Sequence, residues 1–171
     1  MKRSSTRCTG TGRAARLAGT AVLLLCVPCL SFAGTTSRHP IRVSATYGVG
    51  AGSIGYAGAL GLSFQTGHDL FTMHAAGTGV PFVNAGMGDI GLLYGRSSAD
   101  RYTNASVSAG LGYTSGRVYG RDVRTIGIPV EASFTLLPCA YVGLGIGVFG
   151  NLNLTLPFCG GVLFLKAGKL R

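Results

Sequence analysis

Five ionisable side chains, Arg42, His74, Asp89, Glu131 and Lys166, stand in apolar, glycine-rich stretches of this 171-residue chain. A charge in such surroundings is costly unless it is paired or put to use. Acyl hydrolysis needs a histidine within hydrogen-bond reach of a hydroxyl nucleophile. His74 has no serine or acid at a telling spacing, His68 falls in the turn Gly67-His68-Asp69, and the His-x-Ser-Asn arrangement of lipid A deacylases is absent. A metal centre needs several ligands gathered in one place, and none is visible. Gly50-Ala51-Gly52-Ser53-Ile54-Gly55 satisfies G-x-G-x-x-G formally. No helical pattern follows and no acidic residue stands about 20 positions beyond Gly55, so it reads as a glycine-rich hairpin turn. No catalytic residue, metal or cofactor is expected. Ion pairing remains: Glu131 is expected to bridge Arg42 and Lys166 in a confined interior.

The elements that hold these residues are strands. Between Asn104 and Tyr113 the chain alternates strictly, with Ala105, Val107, Ala109, Leu111 and Tyr113 on one face and Asn104, Ser106, Ser108, Gly110 and Gly112 on the other. Period two means a strand whose faces meet different environments. The polar face is small and almost uncharged, which suits a narrow lumen. The pattern recurs over eight segments: Ile41–Gly50, Tyr56–Thr66, Leu70–Gly77, Gly86–Arg96, Tyr102–Tyr113, Arg124–Leu136, Ala140–Asn151 and Gly160–Lys169. Most approach the ~9–11 residues that cross a bilayer at a tilt. Val107, Leu111, Ile128 and Leu144 then face lipid, with hydroxyls and glycines turned toward the axis. Closure follows, because a lipid-facing sheet edge leaves backbone groups unpaired.

Residues 1–33 read as a signal peptide removed on export. Lys2, Arg3, Arg7, Arg13 and Arg16 precede a short apolar stretch, and Ser31-Phe32-Ala33 supplies small residues at the cleavage positions. Residues 34–171 form the barrel domain. The formal charge of +10 then falls by five, since five cations and no anions leave; the remaining cations are scattered, which argues against nucleic acid. Of five cysteines, Cys139 and Cys159 remain, a full strand apart at ~3.3 Å per residue and far beyond the ~7 Å disulfide limit, so no bridge is expected.

Turn composition sets direction. Gly67–Asp69, Ser97–Asp100 and Leu137–Cys139 are tight, as periplasmic turns tend to be, and the connections around 78–85, 115–123 and 152–159 face outward and are somewhat longer. Tyr94 and Tyr102 fall near the inner membrane interface, and Tyr47 and Tyr113 near the outer one. Pro129 cannot donate to a ladder, and a closed barrel offers no edge to hide it, so a β-bulge is expected there.

Gly91–Arg96, Ala105–Gly110, Thr125–Glu131, Gly143–Asn151 and Gly168–Arg171 together resemble a family of uncharacterised small outer-membrane β-barrel proteins. The resemblance covers residues 86–171 best. It implies the barrel fold and the location, marks Pro129 and Glu131 as family features, and carries no activity.

The expectation is an all-β, eight-stranded antiparallel up-and-down transmembrane barrel behind a cleaved signal peptide, exported to a Gram-negative outer membrane. Its lumen is largely filled by side chains, and its role is structural or one of surface interaction. Its partners are outer-membrane lipid and, during export, the barrel-assembly and periplasmic chaperone machinery. A narrow pore and a lipid-modifying enzyme are the alternatives. Two rivals remain for the fold: a soluble lipocalin-like barrel with its apolar face inward, and two membrane helices within the uncharged run 132–165.

Overall fold

The computed structural model describes residues 41–80, 85–118 and 120–170; the expected signal peptide lies outside them. The strands are β1 (Arg42–Gly52), β2 (Gly55–Thr66), β3 (Asp69–Val80), β4 (Ala85–Ala99), β5 (Thr103–Val118), β6 (Arg121–Leu136), β7 (Val142–Leu152) and β8 (Phe158–Gly168). Each pairs antiparallel with its neighbour in sequence, and β8 returns to β1 to close the barrel. Residues 132–165 belong to β6, β7 and β8, not to helices.

Register fixes the shape. Cross-strand neighbours run from Leu136 through Leu144, Leu165, Tyr47, Leu60, Ala75, Ile90 and Tyr113, and return to β6 at Ile126, displaced by ten residues. With ~3.3 Å per residue and ~4.8 Å between strands, this stagger tilts the strands by about 40° and gives a radius of about 8 Å. Such an interior holds side chains and little else.

Alternation decides what faces where. Ile126, Ile90 and Leu111 are 74, 70 and 70 % exposed on the outer wall, and Ile128 and Leu144 share that face. Large apolar side chains outside all eight strands rule out the soluble barrel, whose outer face must meet water. Ser44, Ser63, Thr72, His74, Asn104 and Ser108 turn inward and are buried. Glycines at 145 and 147 lie under the Phe164 ring, which a Cβ at 145 would strike at 2.6 Å.

Three features differ from expectation. No bulge occurs at Pro129: Ala109 faces Val130 and Gly112 faces Gly127, one register throughout. The ladder omits the two intervening pairs, where proline has no N–H to give. The fully buried ring instead fills a hollow over Gly91 and Gly112, whose added Cβ atoms would stand 3.0 and 3.1 Å from its Cγ. Second, the outward connection around 115–123 is not longer; strands run to Val118 and Arg121, and β1 joins β2 through Ser53 and Ile54 alone. Gly120, at φ +75°, supplies the left-handed turn that permits so short a link between β5 and β6. Third, not every glycine faces the axis: toward the outer end of β3 and β4 the pattern inverts, with Ala76, Thr78 and Met87 buried inside and Gly77, Gly79, Gly86 and Gly88 in the intervening outward positions.

Candidate functional site: the lumen

The interior has three zones. At the inner mouth Leu70, Leu137 and Leu170 are buried around a cavity of about 10 Å³ that Arg42, Gln65, Asn104, Lys166 and Lys169 also line. Beside it Ser97 donates to Asn104 (3.1 Å), Asn104 to Gln65 (3.4 Å) and Gln65 to the Gly67 carbonyl (3.0 Å). The outer zone is apolar: Ala57, Ala76, Met87, Val118, Val123, Phe149, Phe158 and Val162 form one buried cluster with Phe164.

Between them lies the ionic centre. His74, 3 % exposed, sets Nε2 at 3.1 Å from Asp89 Oδ1 and Nδ1 at 3.4 Å from Glu131 Oε2. The other Asp89 oxygen accepts from Asn151 Nδ2 at 2.6 Å, and Asn151 Oδ1 accepts from Asn153 at 3.1 Å. Lys166, buried on β8, lies within Coulombic reach of Glu131. Glu131 therefore does not serve as a bridge between Arg42 and Lys166: its ion pair is with His74, while Arg42 lies at the inner-mouth cavity. The reason is register. His74 faces Gly91 and Ala76 faces Asp89, so His74 and Asp89 are diagonal neighbours on one face of a hairpin, within side-chain reach. The sequence carried that signal in the β3–β4 hairpin, but only once its turn is fixed.

Both imidazole nitrogens donate to carboxylates only when the ring carries two protons. In that form His74 and Lys166 offset Asp89 and Glu131, and a buried centre with balanced charge is tolerable. Neither nitrogen is left to accept a proton from a nucleophile, which general-base chemistry requires. Nor do the two carboxylates converge on one point beside the ring; among the described residues no set of three His, Cys, Asp or Glu is arranged to hold a metal.

On the outer wall Tyr47 and Tyr113 share one cross-strand row, each five residues short of its hairpin tip. Tyr94 donates to Asp69 at 2.8 Å and lies 5.1 Å from the Phe71 ring, and Arg101 stands 5.3 Å above Tyr102. Among the described residues two further tyrosines face outward, Tyr56 at the outer end and Tyr141 at the inner. Cys139 in the β6–β7 turn and Cys159 at the outer end of β8 are both free.

Solved structures similar to this chain are small β-barrels. The N-terminal β-barrel domain of Pseudomonas aeruginosa OprF matches with a TM-score of 0.55 at 12 % identity, over 78 % of this chain and 99 % of that one. Neisserial surface protein A matches with 0.51 at 14 %, over 74 % and 94 %, and a de novo designed transmembrane β-barrel with 0.50 at 11 %, over 79 % and 99 %. The fold is theirs. No family model matches, nor does any curated protein; the likeness is one of architecture, and the family resemblance seen in the sequence stands on the quoted segments alone.

Proposed function

We propose that the mature chain is an exported outer-membrane barrel with a sealed lumen, serving a structural or surface-interaction role and no catalysis. The observation that carries this reading is the closure of the interior from both ends: Met87, Phe149 and Phe158 fill the outer zone and Leu70, Leu137 and Leu170 the inner mouth. An apolar zone across the axis opposes a continuous file of water. Export through the periplasm implies delivery by chaperones and the barrel-assembly machinery. The outer loops are minimal, so surface interaction falls to the wall and the rim. Planar-bilayer recording tests the reading. Insertion without conductance steps is expected, whereas stable single-channel steps that vanish on unfolding would establish a pore.

A further inference from the structure

The outer wall carries a groove of about 520 Å³ across β1–β5, walled by Tyr47, Val49 and Leu60 on one side and Ile90 and Tyr113 on the other. That volume lies in the ~300–1,000 Å³ range of ligand pockets. Its floor exists because the alternation inverts there: Gly58, Ala75, Gly77 and Gly88 face lipid with almost no side chain. Ser115 closes the groove on β5, and the next residue in its row is Arg124 on β6. Two strand spacings separate Gly88 from Arg124, about 10 Å, within reach of an extended arginine. Arg117 stands two residues beyond Ser115, toward the same outer tip.

Charge at this end is confined to that tip. The connections 53–54, 81–84 and 153–157 contain no charged residue, whereas the β5–β6 hairpin carries Arg117, Arg121 and Arg124 against Asp122. Arg117 is held by Asp122 at 2.6 and 3.2 Å, so the hairpin keeps a surplus of two positive charges. An apolar trough leading to arginines matches a ligand with hydrocarbon next to phosphate.

We propose that this groove seats an acyl chain of a phosphorylated outer-leaflet glycolipid, with its phosphate on Arg124. The inference rests on the membrane reading above, with the β5–β6 hairpin outward. The test is native mass spectrometry of the folded protein released from micelles holding equal amounts of diphosphoryl lipid A, dephosphorylated lipid A and phosphatidylethanolamine. The expected result is a dominant adduct of the diphosphoryl form. Arg124→Ala reduces that adduct roughly fivefold, the worth of one surface cation near anionic lipid, and Arg101→Ala at the opposite end leaves it unchanged. Gly58→Leu fills the groove, since an added Cβ there meets only the Gly48 carbonyl at 3.9 Å; it abolishes the preference, and Ala75→Leu does the same should the first variant fold poorly. Equal adducts of all three lipids, or a dimer disrupted by Gly58→Leu, would overturn the proposal while sparing the membrane reading. Failure to form a heat-modifiable barrel in micelles would overturn both.

Discussion

His74 shows how one side chain can be held by partners distant in sequence. It stands between carboxylates 15 and 57 residues away, and its loss leaves Asp89 buried and Glu131 half-buried with one cation nearby. His74→Ala should therefore cost ~3–5 kcal/mol, the usual penalty for breaking a buried pair, in urea unfolding from lipid vesicles; Asp89→Asn, which keeps a hydrogen-bonding group, should cost less. Glycine 145 makes a second prediction. A side chain there meets both the Phe134 carbonyl and the Phe164 ring, whereas one at 147 meets that ring no closer than 3.3 Å. Gly145→Ala should strongly reduce the folded, heat-modifiable fraction and Gly147→Ala only slightly. At the solvent-facing hairpin tip, the Arg117 guanidinium bonded to Asp122 holds that carboxyl below the usual carboxylate range. A lowered folded-state value gives a contribution that is full at neutral pH and fades as acid protonates the carboxylate. Arg117→Ala should return the Asp122 titration, followed by NMR, toward the ordinary value.

At the scale of strands and turns, alternation carried most of the information. Leu111, Ile128 and Leu144 are outward and Ser108, Gly143 and Gly145 inward because a lipid wall and a narrow lumen impose opposite chemistry on successive residues. The same logic failed where both faces are apolar or small. In Gly86-Met87-Gly88 the side chain that looks fit for lipid fills the outer core, because it shares its face with the inward Asp89 and not with Ile90. The third and eighth segments alternate poorly in sequence yet become full strands, since pairing on both edges supplies what pattern does not. Pro129 was legible as a disruption, but its remedy, a hollow made by Gly91 and Gly112 on two other strands, depends on register. The ionic centre was hidden for the same reason. Direction in the membrane rests on the hairpins and is testable there. With Cys139 and Cys159 replaced by serine, Thr155→Cys in the exposed β7–β8 connection should react with a membrane-impermeant maleimide on intact cells. In a second protein that keeps Cys139 and carries only Cys159→Ser, Cys139, in the opposite turn, should react only after the outer membrane is breached; the reverse pattern would invert the topology.

Taken whole, the molecule is a wall that presents hydrocarbon to its surroundings and spends its interior on closure. Eight strands staggered by ten residues leave a bore of side-chain width, and three zones, leucine at the inner mouth, ionic at mid-depth and aromatic toward the outer end, occupy it. On this plan the groove and the arginine tip are the outward features on which the proposed ligand would bear. Spin labels placed singly at Ile90, Leu111, Leu144 and Ser108, with the protein folded into lipid vesicles, test that inside-out arrangement most directly. The account predicts that the first three collide freely with dissolved oxygen and scarcely with an aqueous nickel complex, and that the fourth is immobile and shielded from both. Immobile labels at 90, 111 and 144, or labels there that meet the nickel complex as readily as oxygen, would contradict it.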